Sequence, residues 1–120
     1  MNYKIKSIRT FIGSKDYDLS RNFYLDMGFR EHKTSDKMSF FGNGGFGFYL
    51  QDYFVKDWVD NSMVFLEVED TEAHHNMIKS KNLSEKYGIK ITEIVENDWG
   101  KEFFVYDPSG VLWHIGEFYI

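Results

Sequence analysis

The sequence has 120 residues and a net charge of -5, with 19 Asp and Glu against 14 Lys and Arg, and it contains no cysteine. The missing cysteine excludes disulfides, thiolate metal sites and cysteine nucleophiles. Neither a basic stripe nor an apolar run of about 20 residues is present, so we expect no nucleic-acid partner, no membrane partner and a cytoplasmic location.

The first half of the chain predicts a strand, a helix and three further strands. Residues 4–13 alternate between apolar and polar side chains, a pattern typical of a strand. Asp16 or Asp18 can cap a helix, whose apolar residues then recur at helical spacing until Gly28 ends it. Three short strands follow, at about 29–34, 37–42 and 45–51.

The second half predicts the same order again, after a polar and aromatic connector over residues 52–61. A strand is predicted at 63–68, and Asp70 or Thr71 can cap the helix that follows it. The remaining strands are predicted near 89–97, 102–106 and 111–118.

The two halves align at a single offset of 54 residues, which indicates an internal repeat. One module alone would leave a sheet face uncovered, whereas two modules can bury it together. We therefore predict an α+β fold of one domain, residues 1–120, built from two βαβββ modules at about 1–54 and 55–120. The aligned pairs are Arg9 with Met63, Phe11 with Phe65, Ile12 with Leu66, and Asp16 with Asp70.

Two separated segments resemble the vicinal-oxygen-chelate superfamily, which includes glyoxalases, bleomycin resistance proteins and dioxygenases. Residues 11–29 are similar to its first strand and helix, and residues 99–115 to its closing hairpin. The resemblance implies that each module forms a cupped, incompletely closed mixed sheet, with a pocket between modules. The two stretches read FIGSKDYDLSRNFYLDMGF and WGKEFFVYDPSGVLWHI.

Within the superfamily, residues 51–62 and 91–103 are most similar to bleomycin resistance proteins. Those proteins sequester their ligand unchanged, in a groove between two subunits. The resemblance therefore implies a non-catalytic binder of an antibiotic-like small molecule that acts as a homodimer. Two alternatives stay open: an enzyme of the same superfamily (a lyase, isomerase or dioxygenase with an atypical metal site), and a protein whose dimer surface is the functional part.

Enzymes of this superfamily hold a divalent metal with four side chains, usually His and Glu, and the resemblance assigns these positions here. The first falls on Arg9, whose guanidinium stays protonated and cannot be a ligand. Its counterpart falls on Met63, a soft thioether, and the fourth-strand position falls on Phe48 or Tyr49. Only His114 is a possible donor, and a catalytic metal needs about three protein ligands. We therefore expect no metal, no cofactor and no catalytic residue.

A ligand-binding site is predicted instead, from positions that match the groove of bleomycin resistance proteins. Trp99 matches a tryptophan that stacks on the ligand, and Phe65 replaces another tryptophan of the family. Lys33 and Met38 stand where the family has aromatic residues, and a lysine would repel a cationic drug such as bleomycin. The predicted ligand-binding residues are Arg9, Lys33, Met38, Tyr49, Gln51, Met63, Phe65, Trp99 and His114.

Some of these residues also have a purely structural interpretation. Trp99 could anchor its own loop, and Phe65 could be a core residue, which is the commoner fate of an aromatic residue in a strand. His114 could be a satisfied core histidine or could bind an anionic group. His74 and His75 are neighbours on the predicted helix, and we expect both imidazoles to be solvated.

Overall fold

The computed structural model describes residues 4–120. The first half contains, in chain order, β1 (Phe11–Gly13), α1 (Tyr17–Asp26), β2 (Arg30–Ser35), β3 (Met38–Asn43), β4 (Phe46–Gln51) and α2 (Lys56–Asp60). The second half contains β5 (Met63–Glu67), α3 (Thr71–Ser80), α4 (Leu83–Tyr87), β6 (Val95–Glu96), β7 (Gly100–Tyr106) and β8 (Leu112–Phe118). None of the helices in this range is long and apolar enough to cross a membrane.

The strands form two four-stranded sheets with equivalent strand orders. The N-terminal sheet runs β1-β4-β3-β2, and the C-terminal sheet runs β5-β8-β7-β6. β1 lies parallel to β4 in the N-terminal sheet, and β5 lies parallel to β8 in the C-terminal sheet. All other neighbouring strands are antiparallel. The predicted α+β fold with two mixed sheets is confirmed.

The internal repeat is visible in the way the two long helices begin. Asp16 accepts a hydrogen bond from the amide of Leu19 at 3.2 Å at the start of α1. Asp70 accepts one from the amide of Ala73 at 3.0 Å at the start of α3. Each carboxylate satisfies an amide that the first helical turn leaves unpaired. The two helices therefore start at equivalent points of the repeat.

The two sheets share one core, and their helix-covered sides meet across it. Tyr24 of α1 lies at the centre, where its hydroxyl donates to Asp107 Oδ2 at 2.6 Å and accepts from Trp113 Nε1 at 3.0 Å. The rings of Trp113 and Phe48 also meet, with centroids 5.4 Å apart. Burial raises the pKa of Tyr24 and, separately, that of Asp107. These contacts join residues from both halves of the chain.

Two predictions about the first half and the connector are only partly confirmed. The strand predicted at 4–13 is present only at Phe11–Gly13, because β1 is an edge strand and, within residues 4–120, only β4 pairs with it. The connector predicted at 52–61 contains the short helix α2. Val59 of this helix is buried against the edge of β1, which explains why the segment is ordered.

The strand predicted near 89–97 is only partly present. The segment contains only a single bridge between Ile91 and Val105, followed by the two residues of β6. Between them, the side-chain Oγ1 of Thr92 accepts a hydrogen bond from the amide of Phe104 at 2.9 Å. The Thr92 side chain therefore accepts the hydrogen bond that a backbone carbonyl oxygen would accept in a regular pair of strands, and the strand is interrupted at this point.

The prediction that His74 and His75 are solvated is wrong for His75. Its side chain is buried, its ring meets that of Phe103 edge-on at 4.6 Å, and its Nε2 lies 2.9 Å from the carbonyl oxygen of Thr92. His74 is half-buried, and this burial lowers its pKa. The two residues point in different directions from α3, so only one of them reaches the core.

Candidate functional site

Each sheet has one side covered by helices and one open side, because successive strand residues point to opposite faces. In β4, Phe48 and Leu50 are buried on the helix side, whereas Tyr49 and Gln51 lie on the open side. The strand registers extend this alternation across both sheets. The N-terminal open face comprises Arg9, Phe11, Arg30, His32, Met38, Phe40, Tyr49 and Gln51. The C-terminal open face comprises Met63, Phe65, Glu67, Trp99, Glu102, Phe104, His114 and Phe118.

Aromatic rings form the floor of the N-terminal open face. The ring of Phe40 lies over Gly42 and Gly47, and a Cβ added at Gly42 would lie 2.6 Å from Phe40 Cε2. Larger residues at these two positions would therefore displace the ring. Beside Phe40, the rings of Phe11 and Tyr49 stack with centroids 4.9 Å apart. Together these rings form a continuous aromatic cluster on the sheet, in which the planes of Phe40 and Tyr49 are inclined by 60°.

The guanidinium of Arg9 rests on this aromatic floor. Its Cζ lies 4.1 Å from the centroid of Phe40 and 5.7 Å from that of Tyr49. Its Nη1 also donates a hydrogen bond to the hydroxyl of Tyr49 at 2.9 Å. A cation over a ring face is attracted by the ring quadrupole, so these contacts orient the guanidinium.

The N-terminal open face is basic although the chain as a whole is acidic. Arg9, Arg30 and His32 lie on it, and Glu31 is the only acidic residue in strands β1 to β4. Glu31 points to the helix side, where Arg21 holds both carboxylate oxygens at 2.6 Å and 2.8 Å. This pairing with Arg21 is the largest contribution that lowers the pKa of Glu31. No strand carboxylate therefore faces the two arginines of the open side.

A second aromatic cluster lies on the C-terminal open face. The ring centroid of Phe65 is 5.3 Å from that of Phe118 and 6.0 Å from that of Trp99. Phe104 meets the ring of His114 edge-on at 4.8 Å. Phe65, Trp99 and Phe118 all stay more than a third exposed, so this cluster is a surface and not part of the core.

A histidine and a carboxylate are paired on the C-terminal open face. His114 Nδ1 lies 2.8 Å from Glu102 Oε1, and Asn97 Nδ2 donates to the other carboxylate oxygen at 3.2 Å. Because a carboxylate only accepts hydrogen bonds, the contact places a proton on Nδ1 and leaves Nε2 as the other reactive nitrogen of the ring. No Lys or Arg of β5 to β8 points to this side, since Lys101 lies on the helix side with Glu72.

The structure distributes the predicted ligand-binding residues over the two open faces. Lys33 is the exception, because it pairs with Ser39 on the helix side, and the positive charge of Lys33 contributes there to the lowered pKa of Glu31. The residues on the N-terminal open face are Arg9, Met38, Tyr49 and Gln51. Those on the C-terminal open face are Met63, Phe65, Trp99 and His114.

Sequence reasoning missed several residues that share these faces. Phe40 lies two residues from Met38, and Phe118 lies four residues from His114, so both follow the period of two that places alternate strand residues on one face. The same rule applied to β7 would have found Glu102 and Phe104. The stacking of Arg9 on Phe40 has no signal in the sequence.

The four positions that the superfamily uses for a metal do not meet in one chain. Arg9 and Tyr49 lie on the N-terminal open face, and Met63 and His114 on the C-terminal one. The two faces point away from the shared core, because the sheets meet through their helix sides. Within residues 4–120, no three His, Asp or Glu side chains are grouped so that they could hold a metal ion.

Two cavities lie close to the sheets, one in each half of the chain. The larger, of about 290 Å³, lies between α3, α4 and residues 91–93 and touches none of the predicted ligand-binding residues. The smaller, of about 130 Å³, adjoins the N-terminal open face at Phe11 and Gln51 and is also lined by Tyr53 and Trp58. Drug-sized ligands occupy pockets of about 300 to 1,000 Å³. The smaller cavity, which adjoins the N-terminal open face, is therefore too small to enclose a ligand of that size.

Neither a protein-family model nor a curated protein matches the sequence. Solved structures do match. A bleomycin-binding protein from the bleomycin-producing Streptomyces verticillus, solved with copper(II)-bleomycin, has a TM-score of 0.76 and 21% identity over 94% of this chain and 98% of that one. An antibiotic-binding protein from Streptomyces sp. CB03234 has a TM-score of 0.77 and 15% identity, over 98% of this chain and 100% of that one.

An enzyme is among the similar structures too. Lactoylglutathione lyase from Agrobacterium tumefaciens has a TM-score of 0.68 and 17% identity, over 94% of each chain. These likenesses extend over nearly the whole chain, and they agree with the two motifs and the duplicated strand order. The chain therefore has the glyoxalase/bleomycin resistance fold, the fold of the vicinal-oxygen-chelate superfamily.

Proposed function

We propose that this protein binds a flat small molecule without changing it, in a groove between two copies of the chain. The N-terminal open face of one copy would form one wall, and the C-terminal open face of the other copy would form the second wall. One observation carries the proposal: the two open faces are aromatic, exposed and opposite in charge, yet they do not face each other within one chain.

Exposed apolar surface supports the pairing of two copies. Phe11 is 55% exposed, Met63 66% and Phe118 48%, and large exposed apolar patches mark sites of association or ligand binding. β1 and β5 are also edge strands, each paired on one side only within the described chain. Unpaired strand edges are templates for pairing with another chain.

The charges of the two faces support the same arrangement. Arg30 lies on the N-terminal open face, and Glu67 and Glu102 lie on the C-terminal one. Opposite charges steer two surfaces together, and like charges oppose the wrong pairing. In a two-fold dimer each copy contributes both faces, so one contact generates two identical grooves.

The similar structures support a binding function of this kind. Two of them are described as a bleomycin-binding and an antibiotic-binding protein. We infer a related role here, the sequestration of an antibiotic-like molecule. The aromatic rings at Tyr49, Phe65 and Trp99 would stack on flat groups of the ligand, and the remaining open-face residues would set its orientation.

Substitution of Trp99 tests the binding role directly. We expect the wild-type protein to sediment as a dimer and to bind the flat neutral probe 2-naphthamide. Trp99→Ala should weaken this binding about five-fold, since one aromatic contact contributes about 1 kcal/mol. Phe46→Ala is the control, because Phe46 is 82% exposed at a hairpin on the helix side. Unchanged affinity in Trp99→Ala by titration calorimetry, or a monomer at all concentrations, would contradict the proposal.

A second candidate function rests on the pair of His114 and Glu102. A base held by a carboxylate on a ligand-facing surface is an arrangement that enzymes use for proton transfer. The protein would then be a lyase, isomerase or dioxygenase of the superfamily with an atypical metal site. Elemental analysis of the purified protein discriminates between the two. Stoichiometric metal that is lost in His114→Gln would favour the enzyme over the binder.

A further inference from the structure

We infer that Arg9 makes the proposed groove selective for flat ligands that carry an anionic group, such as a carboxylate, sulfonate or phosphate. The inference rests on the proposed function and specifies its ligand class. A cationic ligand is disfavoured, because the N-terminal open face carries positive charge next to its aromatic rings.

Arg9 has unused hydrogen-bonding capacity. A guanidinium has five N–H donors in a planar fork that matches a carboxylate. Arg9 uses one of them, toward the hydroxyl of Tyr49, and no carboxylate within residues 4–120 lies within 4.0 Å of it. Arg21, in contrast, holds Glu31 through two nitrogens and Asp18 through a third.

The guanidinium of Arg9 is already oriented by its contacts with Phe40 and Tyr49 in the protein without ligand. Its flat side rests on Phe40, and the ring of Phe40 occupies space left by Gly42 and Gly47. The hydrogen bond to Tyr49 limits rotation about the last side-chain bonds. A receptor group that is already oriented loses less entropy when it binds, so binding becomes stronger and more selective.

The electrostatic environment of Arg9 also favours an anionic ligand group. Arg30 and His32 lie on the same face as Arg9, and the strands contribute no carboxylate to that face. On the facing surface of the second copy, the oxygens of Glu102 already accept from His114 and Asn97. An anionic ligand group would give Arg9 the partner that it lacks within its own chain, while the outer sides of the stacked rings of Phe11 and Tyr49 would contact the flat part of the ligand.

Three probes that share one naphthalene ring and differ in charge test the inference: 2-naphthoate, 2-naphthamide and 2-naphthylmethylammonium. At fixed pH and ionic strength, we expect the dimer to bind the carboxylate about ten-fold more tightly than the amide, and the ammonium more weakly than both. Added salt should weaken binding of the carboxylate and leave the amide unchanged.

Arg9→Gln should abolish the preference for the carboxylate, because the affinity for the carboxylate should fall much more than the affinity for the amide. Lys33→Gln is the matched control, because it removes the same charge from the helix side of the same sheet, and it should keep the preference. Equal binding of the three probes by the wild type would overturn the inference while the proposed function stands. Dissociation of the dimer in Arg9→Gln would also overturn it, since Arg9 would then be an interface residue. Failure of all three probes to bind would contradict the proposed function itself.

Discussion

Removal of the Tyr24 hydroxyl should destabilise the junction between the two halves of the chain. Tyr24→Phe keeps the ring but removes the partner of Trp113 Nε1 and of Asp107 Oδ2, both in the buried core. Asp107 Oδ1 keeps its three backbone amides, so the carboxylate stays in place. A buried polar group left without a partner costs about 1 to 3 kcal/mol. Because Asp107 keeps its other hydrogen bonds, we expect a loss in the lower part of the summed range, about 2 to 4 kcal/mol.

Thermal and denaturant unfolding at one protein concentration measure this loss. With an unfolding entropy of about 2.1 cal/mol/K per residue, a chain of 120 residues should melt about 8 to 16 °C lower. Tyr87→Phe is the matched control, because Asp26 keeps its ion pair with Lys86 at 2.7 Å when the Tyr87 hydroxyl is removed. A loss in Tyr24→Phe no larger than in Tyr87→Phe would refute the reasoning.

Two further predictions concern pH and helix capping. The pKa of Glu31 is lowered, so its pair with Arg21 stabilises the fold above the ordinary value of 4.5 and loses that effect as the pH falls through the lowered pKa. The difference in unfolding free energy between wild type and Glu31→Gln should therefore shrink as the pH falls below 4.5, and a constant difference would contradict this. Asp70→Ala should cost about 1 kcal/mol through the lost cap on Ala73, whereas Asp70→Asn should cost little. Equal losses in denaturant unfolding would contradict the capping role.

The candidate site was partly predictable because strand residues alternate between two faces. Tyr49 with Gln51, and Met63 with Phe65, share a face from their spacing alone, and the structure agrees. Lys33 was predicted from the resemblance alone, and it lies on the helix side, because neighbouring residues of a strand point to opposite faces. Its pairing with Ser39 decided the face, and such pairing depends on contacts between separate strands.

The sequence by itself determined the features that neighbouring residues control. Asp16 and Asp70 each cap a helix three residues before the amide that they bind, and this chemistry needs no distant partner. Tertiary structure alone decided the burial of His75 against Phe103 and the contact of Arg9 with Phe40. These contacts join residues that are 28 and 31 positions apart in the chain, so only the packed fold brings them together.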